Sequence, residues 1–115
     1  MYPITKEEII AYSQGEDAAY WARSLDSRWP YIEGAIEIYN KVRPSSVLEL
    51  GSAGLPIIHG STSMDRNFNP DILWDATDCP WPIAAKKFDM FIGLQVFEHL
   101  EGSQAVAFQE VKRIA

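Results

Sequence analysis

The sequence predicts an α/β fold, a mainly parallel sheet preceded by helices. Three observations carry that expectation. Helical patterning is confined to roughly the first 44 residues; a short apolar run then ends at glycine, Val47-Leu48-Glu49-Leu50-Gly51; and a later run, Phe88-Asp89-Met90-Phe91-Ile92-Gly93-Leu94, is apolar on both faces apart from its start. Leading helices followed by strands alternating with connectors is the pattern of an α/β layer fold.

The elements follow in chain order. Thr5-Lys6-Glu7-Glu8 is a capping box, Thr5 capping and Glu8 reaching back, and opens a short helix through Tyr12. A second short helix is expected over 16–23. A third is capped by Asp26 or Ser27 with Pro30 in its first turn, where a missing N–H costs little. Ile32, Ala35, Ile36, Tyr39 and Val42 form its apolar stripe, and Pro44 ends it. Val47–Leu50 reads as a buried strand. Asp71–Trp74 is a further strand, leading into the turn-rich Asp75-Ala76-Thr77-Asp78-Cys79-Pro80, and 88–94 is the strongest strand. Gly102-Ser103 opens a last helix with Ala105, Phe108, Val111 or Lys112, and Ile114 on its apolar side.

That helical pattern runs to Ala115 with no Gly or Asn stop. A parallel sheet would take the chain on to a strand beside 88–94, so the expectation is a domain incomplete at its C-terminus. Further sequence, or a homo-oligomer partner, would complete the sheet edge.

Composition narrows the function classes. With 47% hydrophobic and 23% charged residues the chain is globular rather than disordered. A net charge of −6 argues against a phosphate-tracking surface, so no nucleic-acid partner is expected. The lone Cys79 allows no internal disulfide and reads as a packing residue. MYPITKEEII lacks a signal-peptide layout, and no apolar run reaches the roughly 18 residues of a membrane span; a cytoplasmic protein is expected. No His, Cys or carboxylate cluster has metal-ligand spacing, so no metal is expected.

Three stretches together resemble the class I S-adenosylmethionine-dependent methyltransferases, in particular the small-molecule "type 11"-like domain. They are Val47-Leu48-Glu49-Leu50-Gly51, similar to that family's first strand and acidic-x-Gly turn; Asp75-Ala76-Thr77-Asp78-Cys79-Pro80-Trp81-Pro82, similar to its segment after the third strand; and Phe88 to Leu94 continued by Gln95-Val96-Phe97-Glu98-His99-Leu100, with Phe108, Glu110, Val111, Arg113 and Ile114 in the family's helical rhythm. The resemblance implies a Rossmann-like methyltransferase fold, with residues 1–44 as a helical leader and 45–115 as the N-terminal part of the domain. It implies S-adenosylmethionine as cofactor and methyl transfer to a small-molecule acceptor.

The site residues come with the resemblance. Gly51 and Ala53 belong to the turn facing the cofactor's amino-acid end, and Glu49 answers the positive charge there, unless it is a strand-end charge paired locally. Asp65 takes the ribose hydroxyls, or is ordinary turn chemistry; Asp75, followed by Ala76, accepts from the adenine amino group, or shapes an Asx-turn. Gln95 to Glu98 line the edge where the methyl group leaves, and Glu98 and His99 are the catalytic candidates. Trp74 and Trp81 either wall the adenine or fill the core.

One segment departs from the family. Residues 51–64 leave fourteen positions for turn, crossover and second strand, against about 10–12 for a crossover alone, so a full crossover helix does not fit. Leu55, Ile57 and Ile58 lack helical spacing, and Gly60-Ser61-Thr62-Ser63 is loop-like. The alternative function is therefore a non-catalytic, degenerate methyltransferase-like binding module. A nicotinamide-dependent enzyme is a poorer fit, because G-x-G-x-x-G is absent.

Overall fold

The computed structural model describes residues 1–12, 18–52, 54–94, 96–100 and 102–115, without the side chains of 18–24, 26 and 98. The capping box forms as expected: the Glu8 N–H donates to Thr5 Oγ1 and the Thr5 N–H to Glu8 Oε1, both at 3.2 Å, ahead of α1 (Lys6–Tyr12). The two further leader helices expected from the sequence are instead one, α2 (Ala18–Val42), with Pro30 inside it rather than in a first turn. The expected segment 16–23 falls within it from Ala18 onward, and 16 and 17 lie outside the described residues. The reason is packing. Leu25 and Trp29 extend the stripe of Ile32, Ala35 and Tyr39 across the proline and rest on the same core, which offsets the N–H that Pro30 lacks. Val42, expected on the stripe, is exposed. Arg43 closes the helix in the left-handed region, at φ 48°, its N–H donating to the Tyr39 carbonyl at 2.8 Å.

The central sheet contains β2 (Val47–Leu50), β4 (Thr62–Asp65), β5 (Ile72–Leu73) and β6 (Met90–Ile92), all parallel, in the order β5-β4-β2-β6. A two-stranded antiparallel ribbon joins β1 (Tyr2–Pro3) to β3 (Ile58–His59) in the β2–β4 crossover. Between β2 and β4 the described residues contain no helix, as the residue count implied, but Thr62 and Ser63, expected in a loop, instead open β4, because their backbone pairs with Leu48 and Glu49 of β2.

Side chains of β2 alternate between two cores. Val47 joins Ile32, Ala35, Ile57, Ile58 and Ile92 beneath α1 and α2. Leu48 and Leu50 join Met64, Trp81, Phe88 and α3 (Gln104–Ile114) on the other face. The inward face of α3 differs from the expected one. Ala107, Glu110 and Ile114 are buried, whereas Ala105, Phe108 and Lys112 are exposed. A polar clamp sets that rotation. Glu110 Oε1 accepts the Trp81 N–H at 2.7 Å, and Arg113, paired with Glu110 at 2.8 Å, donates to the carbonyl of Ile83 at 2.6 Å. An apolar count along the helix does not see that clamp.

Candidate ligand-binding site

In an open parallel sheet a ligand finds its crevice outside the carboxyl ends of the strands, where the strand order reverses. Here the chain moves outward from β2 to β4 and β5, then returns to place β6 on the other side of β2. At that end lies a cleft of about 290 Å³. Every strand of the sheet contributes to it through the residues that follow its carboxyl end: Gly51 after β2, Asp65 and Phe68 from β4, Trp74 to Thr77 after β5, and Leu94, Val96 and His99 after β6. A larger open groove of about 570 Å³ along β6 is almost wholly apolar and offers no comparable convergence of polar groups.

Gly51, Asp65, Asp75, Ala76 and His99 therefore share one cavity. Gly51 is required there for two reasons: its φ is +70°, and a Cβ would stand 2.6 Å from Val96 Cγ2. Its own N–H is spent on the sheet, donating to the Met64 carbonyl at 3.0 Å. Asp65 ends β4, and its Oδ1 accepts the Arg66 N–H at 2.8 Å and the Asn67 N–H at 3.3 Å. Asp75 Oδ1 accepts both the N–H and the hydroxyl of Thr77, at 2.9 and 2.8 Å, which makes the Asx-turn and holds the carboxyl below the usual aspartate range. Ala76 is buried, and its carbonyl accepts the Trp81 indole N–H at 3.0 Å. Trp74 lines the cleft, its indole N–H fixed to the Asp78 carbonyl at 2.7 Å, whereas Trp81 belongs to the core. His99 is exposed at the end of a single 3-10 turn, Phe97–His99. Glu98 lies on that turn with its side chain undescribed; Ala53 and Gln95 lie outside the described residues.

Glu49 stands apart. It is 1% exposed and faces the core under α1 and α2. Its Oε1 accepts the Ile57 N–H at 2.7 Å; its Oε2 accepts the Ile58 N–H at 3.0 Å and the Ser61 hydroxyl at 2.5 Å. Burial nevertheless pushes its carboxyl above the ordinary glutamate value, since loss of water outweighs those bonds.

Four cleft residues were not singled out from the sequence: Arg28 from α2, and Arg66, Asn67 and Phe68 from the loop after β4. Phe68 and Asn69 both sit in the left-handed region, at φ 69° and 58°, and Phe68 stays 42% exposed. An exposed aromatic inside Asn67-Phe68-Asn69 was the available signal, because bulky residues at positive φ are held only where the surroundings enforce them. Cys79, half-buried with its thiol pushed up by burial, has none of the character of a nucleophile. Among the described residues no three His, Cys or carboxylate side chains are grouped to hold a metal ion, and no helix is long and apolar enough to cross a membrane. No family model, curated protein or solved structure matches the chain.

Proposed function

We propose that the cleft binds S-adenosylmethionine and that the protein transfers its methyl group to a small-molecule acceptor. The observation that carries this reading is the convergence of Gly51, Asp65, Asp75 and His99, from four separate connectors, on one cavity at the reversal of the strand order. The same strand order supports a Rossmann-like fold. In this reading Asp65 would accept from the ribose hydroxyls, Phe68 and Trp74 would hold the purine, and Asp75 would accept from its amino group. Bound there, S-adenosylmethionine would supply a sulfonium-activated methyl group to the acceptor's lone pair, with S-adenosylhomocysteine as the leaving product. Holding the two reactants in line supplies most of the help such a displacement needs. His99 is the side chain at this cleft suited to take the acceptor's proton. The net charge of −6 favours a small acceptor over a nucleic acid.

A second reading, a non-catalytic binding module on the same frame, is favoured by one specific observation. Both oxygens of Glu49 and the N–H of Gly51, which the resembled family would turn toward its cofactor, are spent inside the fold. Calorimetric titration with S-adenosylhomocysteine separates the two. Saturable one-to-one binding that Asp65→Ala weakens about tenfold or more supports the transferase; a folded protein that takes up no heat leaves the binding module.

A further inference from the structure

Among its described residues the crossover from β2 to β4 has no helix of the kind that ordinarily stiffens such a connection and presents its N-terminus to the ligand. Something else must fix residues 51–61, because this segment begins with Gly51 and so sets one wall of the cleft. From outside, the N-terminal arm holds it: β1 pairs with β3, the Ile4 N–H donates to the Ile57 carbonyl at 2.7 Å, and His59 Nε2 lies 2.7 Å from Glu8 Oε2. From inside, Leu55, Ile57 and Ile58 pack into the core, and the Glu49 carboxylate holds the backbone, with its acceptors directed at Ile57, Ile58 and Ser61. Glu49 is 1% exposed and borders a small cavity of about 20 Å³ beside the cleft, shared with Arg28, Leu50, Gly51 and Leu94, rather than the cleft itself.

We infer that Glu49 is a positioning residue: it stands in for the missing crossover helix, pinning residues 57–61 so that Gly51 is held at the cleft wall, and does not itself touch the ligand. The inference rests on the proposed cofactor reading for its effect on affinity, but not for its effect on the loop.

The test uses Glu49→Gln, Ser61→Ala and the double variant. Ser61 is outside the cleft's lining but borders an adjoining hollow that shares Asp65, Asn67 and Phe68 with it, so its effect on affinity counts as transmitted only together with faster exchange at Ile57 and Ile58. Amide exchange at Leu48 and Met64 reports whether the sheet is intact. The expected result is faster exchange at Ile57 and Ile58 in each variant, a displaced Gly51 amide resonance without ligand, and about tenfold weaker S-adenosylhomocysteine binding. The double variant should be little worse than Glu49→Gln alone, since the two side chains act through one bond. Weakened binding in Glu49→Gln with unchanged exchange at Ile57 and Ile58 would mean direct ligand contact and overturn the inference. So would a loosened loop with an unmoved Gly51 signal and full affinity. If the wild-type protein binds no S-adenosylhomocysteine, the cofactor reading fails and the ligand-free exchange and Gly51 resonance decide the positioning role alone.

Discussion

Two buried glutamates hold two loops of this protein, and they do so under opposite electrostatics. Glu110 accepts the Trp81 N–H and has a cation beside it, Arg113 at 2.8 Å. Its bonds with Arg113, helped by the Trp81 N–H, keep its carboxyl below the ordinary glutamate range. Glu49 accepts two backbone N–H groups and one hydroxyl, with no hydrogen-bonded cation, and burial drives its carboxyl the other way. The first arrangement fastens the 80–88 connector to α3; the second fastens the crossover beside the cleft. A carboxylate is a good loop anchor because it offers several acceptor positions to backbone N–H groups that would otherwise be buried unpaired.

The comparison breaks most visibly by truncation. Glu49→Ala leaves two buried N–H groups without acceptors and should cost about 3 kcal/mol, at roughly 1–3 kcal/mol for each unsatisfied donor. Glu110→Ala orphans one backbone N–H and should cost about 2 kcal/mol. Adding Arg113→Met to Glu110→Ala should deepen that loss, because Arg113 also donates to the carbonyls of Ile83 and Trp81. Urea unfolding gives both values. A Glu110→Ala penalty larger than that of Glu49→Ala would reverse the ranking.

Gly51→Ala should cost about 1–2 kcal/mol for the left-handed backbone alone, with a further loss from the 2.6 Å approach to Val96. In a Val96→Ala background the second part should vanish and the first remain. An equal penalty in both backgrounds would show that the Val96 contact does not matter.

The pH dependences should run in opposite directions. Glu49, raised in the folded state, contributes stability that is fully present below its unfolded pKa and lost as pH rises through the folded value. Glu110, lowered in the folded state, contributes stability present above its unfolded pKa and lost as pH falls through the folded value. Glu49→Gln should therefore flatten the stability curve on the neutral side of about pH 4.3, and Glu110→Gln on the acid side. Unfolding curves from about pH 3 to about pH 7 check this, and identical profiles for the two variants would contradict the contrast.

Much of this frame was legible in the sequence. Three strands of the parallel sheet lie within short apolar runs, Val47–Leu50, Ile72–Leu73 and Met90–Ile92, and the residue count between 51 and 64 excluded a crossover helix; β4 has no such signal, because Gly60-Ser61-Thr62-Ser63 has the composition of a loop. What escaped was local geometry without periodicity. The β1–β3 ribbon has two residues on each side, too few for any alternation to register. The face of α3 was misread because Glu110 turns inward for a hydrogen bond, which hydrophobic spacing does not encode. Continuity of α2 was missed at Pro30, although Leu25 and Trp29 carried the stripe past it. At the site, the aspartates were legible as acids near strand ends. The inward turn of Glu49 was not, because its partners are the backbone of residues eight and nine positions further on.

The most direct measurement is an amide NMR titration of the intact protein with S-adenosylhomocysteine. Saturable shifts are expected at Gly51, Arg66 to Phe68, Thr77 and His99, the connectors that meet at the carboxyl ends of β2, β4, β5 and β6. Ile57 and Ile58 should remain protected from exchange throughout. Shifts confined to the groove along β6, or none in a protein with a dispersed, folded spectrum, would contradict the assignment of that cleft as the cofactor site.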